Sequence, residues 1–150
     1  MHGQPYIRLL LMTVLSFISM YVLMYAMVDR FENVYPNVNQ FYMAGLMTAP
    51  MVIIELLLMR AMYPHRAANA VILVVGVFAL GAFWLAIRQQ AAVGDVQFLK
   101  SMIPHHAGAV LMCGEAPIKD AAIRELCKSI IASQREEIAQ MKAMLAARAQ

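Results

Sequence analysis

The sequence predicts an all-α protein: three transmembrane helices followed by an antiparallel helical hairpin, which would complete a four-helix bundle by dimerisation. Three observations carry this. Long charge-free apolar runs fill the first ninety residues, within a chain that is 62% hydrophobic and only 14% charged, where a soluble domain carries about 25% charged residues. Beyond Asp95 the apolar residues recur at steps of three and four, the period of a helix face. No stretch alternates with the period of two that a half-buried strand requires. Residues 1–88 are accordingly read as the membrane region and 89–150 as the helical hairpin.

The first span runs from Leu9 to Val28, twenty residues between Arg8 and Asp29 without a charge, the length that crosses a hydrocarbon layer of ~30 Å. A cleaved signal peptide would have a shorter apolar core of about 7–15 residues and a small-residue cleavage site. Asp29 to Gln40, with Asn33, Pro36, Asn37 and Asn39, reads as a short loop. The second span covers Phe41 to Met62. It contains Pro50, expected to bend it, and Glu55, expected to pair with Arg60 near the inner interface. After a basic turn at Met62 to Arg66, the third span covers Ala67 to Ile87, with Trp84 placed for the headgroup belt.

Orientation follows from the cations, because Lys and Arg in short loops stay on the cytoplasmic side. Arg8 marks the amino-terminal tail, and Arg60 and Arg66 the second turn, whereas the first loop has Arg30 flanked by Asp29 and Glu32. The amino terminus is thus expected in the cytoplasm and the hairpin outside, which in a bacterium means an inner-membrane protein with a periplasmic domain.

The hairpin begins where Asp95 is expected to cap a helix. Phe98, Met102, Ala109 and Cys113 mark its apolar face, and Gly114 with Pro117 ends it. A second helix starts near Asp120 with a seam of Cys127, Ile130, Gln134, Glu137, Met141 and Met144. Pro104 lies just before His105 and His106, where it frees the carbonyl of Lys100 and bends the axis.

Thioether, thiol and imidazole together are the donors that soft copper ions favour. With the turn centred near Pro117, a rise of ~1.5 Å per residue sets His106 opposite Cys127 and Met102 opposite Gln134. Cys113 lies near the top of its helix, and a Cys113–Cys127 disulfide is expected to exceed the ~7 Å Cα limit. Met102, His106 and Cys127, with His105 alongside, therefore form the candidate copper site. The competing reading is that a Met or Cys on a seam is plain core and that Gln134 and Glu137 fix the register.

Other classes fit less well. A net charge of +3 is too modest and scattered for nucleic acid. Two cysteines without a CxxC pair leave the redox compartment open. The chain offers no third group to orient a Cys–His pair and no oxyanion site, so no enzyme activity is expected. Met20, Met24 and Met27, like Met43, Met47 and Met51, share a helical face. They could form a thioether ladder for a soft cation or simply adaptable packing.

Asp95, Phe98, the run Met102-Ile103-Pro104-His105-His106, Ala109 and Met112, followed by Leu126, Ile130-Ile131, Gln134, Glu137-Ile138 and Gln140-Met141, resemble domain of unknown function 305. The resemblance covers Asp95 to Leu145. It implies a ferritin-like helical bundle, commonly exported, with some copper-binding members. It marks Met102, His105, His106, Met112 and Met141 as metal-binding candidates; Cys113 and Cys127 rest on spacing alone.

Because a hairpin of about 50 residues buries little core by itself, a homodimer or higher homo-oligomer is expected. The partners expected are the lipid bilayer and copper-handling proteins. The reading is a membrane-anchored copper-binding protein, Cu(I) being the favoured ion, for storage, sensing or hand-over. The alternatives are a structural oligomerisation subunit without metal, and a metal transporter.

Overall fold

The computed structural model describes residues 4–148, and the elements in that range are helical: α1 Gln4–Leu23, α2 Val38–Leu58, α3 Arg66–Gln89, α4 Asp95–Glu115 and α5 Ala121–Arg148. Short 3₁₀ turns follow α1 at Met24–Met27, interrupt the first loop at Phe31–Asn33 and follow α2 at Arg60–Met62. Three segments, Gln4–Met27, Val38–Leu58 and Arg66–Gln89, are long and apolar enough to cross a membrane. The chain divides into two compact units, one formed by Asn39–Ala91 with the chain up to Met24, the other by Tyr25–Val38 with everything after Ala91.

In the three-helix unit, small residues let helices approach. A Cβ on Gly45 would lie 2.4 Å from the Phe83 ring, and one on Gly76 would lie 2.9 Å from Ile53 Cγ1. Phe41 stands edge-on to both Phe17 and Phe83, at ring distances of 5.1 and 6.2 Å, the geometry in which aromatic quadrupoles attract. Leu9, Leu56 and Tyr63 form a buried cluster at one end. α2 continues through Pro50.

The hairpin unit has a conventional apolar core of Leu99, Ile103, Ala107, Val110, Ile138 and Met141. These are not quite the faces expected. The buried edge of α4 lies one residue on from Phe98 and Met102: Phe98 is half exposed and Met102 half-buried. On α5, Ile131, Ile138 and Leu145 turn toward the core, while Glu137 and Met144 lie exposed. Both seams have the same mean period, so spacing could not separate them. Burying the aliphatic residues rather than Glu137 is what decides, because an unpaired carboxylate is costly in a core.

The segment 25–38 joins this unit as its cover. Val28 and Tyr35 pack on the core, Tyr25 donates its hydroxyl to the Tyr35 carbonyl at 2.8 Å, and Ser101 Oγ donates to Asn37 Oδ1 at 3.2 Å. Lys142 pairs with Glu32 at 3.8 Å. The loop of the sequence reading is therefore a packed element of the hairpin.

Helix ends follow local rules with one exception. Gly94 rather than Asp95 occupies the N-cap of α4, with no side-chain cap. Asp95 stands in the first turn, where its charge still complements the helix dipole. α4 stops at Ala116, held extended (φ −66°, ψ 133°) because the ring of Pro117 disfavours a helical residue before it. Asp120 Oδ1 accepts from the Ile123 amide at 2.9 Å, the side-chain cap that starts α5.

Candidate functional site

The extended turn sets the register of the hairpin and with it the site. Residues 116–120 are non-helical, and the pairing across the hairpin is centred near Asp120, not at Pro117. Cys113 and Cys127 are equidistant from Asp120 in sequence and meet: their Cα atoms are 5.1 Å apart and the sulfurs are joined in a disulfide. This overturns two expectations. A Cys113–Cys127 bond was held out of reach by a turn centred too early, and Cys127 was set beside His106. With both sulfurs bonded to each other, neither Cys113 nor Cys127 is a thiolate donor here.

His106, a further two turns down α4, instead meets Glu137. Its side chain is 9% exposed. Nδ1 lies 2.9 Å from the Met102 carbonyl, one turn back on its own helix. A carbonyl can only accept, so the proton sits on Nδ1. Nε2 is then directed at Glu137 Oε2, 2.7 Å away. Two lone-pair-bearing atoms approach this closely only with a hydrogen-bonding proton between them; a metal ion, about 2 Å from each donor, would require the imidazole and the carboxylate to part. Engagement of one ring nitrogen by a carbonyl is also how metal-ligating histidines are oriented, although here Glu137 takes up the other.

The remaining candidates distribute unevenly around this pair. Met102 and Met141 both pack on the core cluster that carries Ile103 and Ala107. Met102 lies one turn before His106 on α4, and Met141 one turn after Glu137 on α5. His105 is exposed, its ring edge-on to His106 at 6.0 Å between centroids. Met112 is 54% exposed and adjoins the disulfide in sequence, away from His106 along α4. Gln134 is half-buried one turn before Glu137. The structure thus brings Met102 and Met141 to one core cluster, ties His106 to the Met102 carbonyl and to Glu137, leaves His105 exposed and separates Met112. Among the described residues no three His, Cys, Asp or Glu side chains converge on one point, so any ion held here would draw on thioether sulfur.

Glu137 is the residue whose role the sequence left undefined. The signal was a carboxylate at a distance from Asp120 close to that of His106 on the other strand of the hairpin. It becomes readable only once the turn's midpoint is known.

Of the methionines on the two faces, Met20, Met24 and Met51 are half-buried and Met27 is exposed. Met43 and Met47 are exposed, and Met20 accepts a hydrogen bond from Thr48 Oγ1 at 3.5 Å. Nor does Glu55 pair with Arg60. Its Oε1 accepts instead from the Tyr63 hydroxyl at 3.3 Å, because the 3₁₀ turn after α2 brings the phenol back onto the helix.

Residues 85–149 match the family described as Domain of unknown function (DUF305). A protein of Acanthamoeba polyphaga mimivirus, described as Uncharacterized protein L153, is 32% identical over 140 residues, which cover 91% of this chain and 90% of that protein. No solved structure matches the chain. The relative therefore spans both units, and the chain belongs to one family with it, carrying the DUF305 domain over residues 85–149.

Proposed function

We propose that the protein is anchored in a membrane by α1, α2 and α3 and displays, on the oxidising side, a disulfide-stapled hairpin that binds a soft metal ion, copper being the best match to its donors. Two independent features support the topology. The cations cluster on the amino-terminal tail and second turn, and a Cys113–Cys127 disulfide persists in extracytoplasmic compartments rather than in reducing ones. In a bacterium that side is the periplasm.

The observation that carries the metal reading is the tethered imidazole of His106. Nδ1 is held by the Met102 carbonyl, which leaves Nε2 to a proton shared with Glu137 or to an ion. Nε2, Glu137 and the sulfurs of Met102 and Met141 would hold the ion, His105 being a rim donor. Imidazole with thioether is a set that prefers Cu(I) to harder cations. When bound, the ion would supply positive charge to Nε2 and the carboxylate in place of the proton they share. The chain's own contribution is to fix the tautomer, exclude water with Ile103 and Ala107, and keep the hairpin closed through the disulfide. A second copy laid along the exposed edge of the hairpin would complete a four-helix bundle.

One observation favours the runner-up, a hairpin that serves assembly alone: both ring nitrogens of His106 already have oxygen partners within the chain. Elemental analysis of the purified protein after copper exposure separates the two. Uptake near one ion per hairpin, lost in His106→Ala and reduced in Met102→Leu with the oligomer mass unchanged, is the expected result. Uptake that is absent, or intact after replacement of Met102, His105 and His106 together, leaves the assembly reading.

A further inference from the structure

A second site lies in the three-helix unit, at the end where α1 begins and α2 finishes. A cleft of about 500 Å³ is bounded there by Arg8, Glu55 and Tyr63 and, on its apolar side, by Leu9, Met12 and Met62. Its two charges are opposite in sign, yet they are not paired with each other, and among the described residues neither forms an ion pair. Among the described residues, Glu55 accepts from Tyr63, through Oε1. Tyr63 is itself 4% exposed, and burial, reinforced by the Glu55 carboxylate, pushes its phenol above the ordinary value. It therefore stays a donor, holding the carboxylate in place without neutralising it. Arg8 is exposed.

A guanidinium and a carboxylate facing one cleft with an apolar wall describe the complement of a zwitterionic amphiphile. We propose that this cleft binds the headgroup of an aminophospholipid such as phosphatidylethanolamine, its phosphate against Arg8, its ammonium against Glu55 and its glycerol end along Leu9, Met12 and Met62. Arginine matches phosphate through its planar fork of donors. The ammonium brings N–H donors to the free lone pairs of Glu55, a charge-assisted bond. Choline has no N–H to give, and quaternary ammonium groups are recognised by aromatic cages, whereas among the described residues Tyr63 is the one aromatic lining this cleft. A purely anionic headgroup would satisfy Arg8 but meet Glu55 with like charge. The site rests on the membrane reading above, which sets it at the cytoplasmic interface.

The test uses the full-length protein in mild detergent with lipids of identical acyl chains, read by native mass spectrometry. Phosphatidylethanolamine is expected to bind about tenfold more tightly than phosphatidylcholine or phosphatidylglycerol, the effect of one charge-assisted hydrogen bond. Glu55→Gln should bring it down to the phosphatidylcholine level, and Arg8→Gln should weaken all three. Equal binding of the three lipids by the unmodified protein overturns the proposal without any variant. A preference that survives Glu55→Gln at unchanged helicity does the same. Soluble phosphoethanolamine, lacking chains to lie along the apolar wall, is expected to leave the bound lipid in place; displacement would reassign the cleft to a free aminophosphate. Failure of the membrane reading shows separately, as release of the protein from membranes by alkaline carbonate. Equal lipid binding by carbonate-resistant protein sinks this site alone.

Discussion

In the three-helix unit Leu15, Val74 and Phe78 are 62%, 69% and 76% exposed, while in the hairpin Leu99, Val110 and Ile138 are between 4% and 7% exposed. The same classes of side chain face outward in one unit and inward in the other. The difference is the one the proposed membrane setting would produce. Outward apolar surface on this scale is unstable in water; in hydrocarbon, helix association would depend on close approach at small residues such as Gly45 and Gly76 rather than on hiding apolar area. The hairpin relies on the opposite device. Its core is apolar and buried, and its polar members are tied, His106 to Glu137 and Lys142 to Glu32.

The largest expected effect strikes the hairpin core. Ile103 is fully buried, so Ile103→Ala should destabilise the hairpin by roughly 2–5 kcal/mol. Hydrogen exchange should show faster exchange through α4 and α5 with α2 and α3 unchanged. Uniform loss across both units would break the comparison, since it would mean that they unfold as one.

Next comes the staple. Replacing both cysteines by serine, or reducing the bond, opens a link across a sequence separation of 14 and should cost about 3 kcal/mol. The readout is the hairpin's thermal transition with and without reductant. A transition indifferent to reductant would mean that the core alone sets its stability.

The smallest effect sharpens the contrast from the other side. Phe78→Ala in α3 removes an aromatic ring larger than the Ile103 side chain, yet in detergent micelles it should shift the thermal midpoint by no more than the equivalent of about 0.5 kcal/mol, as for other outward positions. A shift as large as that of Ile103→Ala would show that Phe78 is covered by protein.

Much of the architecture could be read before any coordinates. The three long apolar runs, the helix breaks at Pro117 and Asp120, and the two helices of the hairpin follow from composition, charge spacing and capping chemistry. The candidate site was legible as a set of residues but not as an arrangement. Spacing of three and four is obeyed equally by Ile130 with Glu137 and by Ile131 with Ile138, so the face turned inward could not be chosen from periodicity. Placing the turn at Pro117 misplaced Cys127 and His106, which is why the cysteines were expected apart and His106 beside Cys127. The loop before α2 likewise gave no sign that it would cover the hairpin, because its polar residues act through pairs such as Ser101–Asn37, separated by more than sixty positions.

Taken alone, the chain determined its helices and the sorting of apolar from polar segments, because both are local consequences of propensity, capping and hydropathy. Tertiary structure decided the partners: disulfide rather than two thiols, His106 with Glu137, Glu55 with Tyr63. Those depend on how far an extended turn carries one helix past the other and where a short 3₁₀ turn folds back, and displacements of a few ångströms in backbone geometry leave no trace in residue spacing.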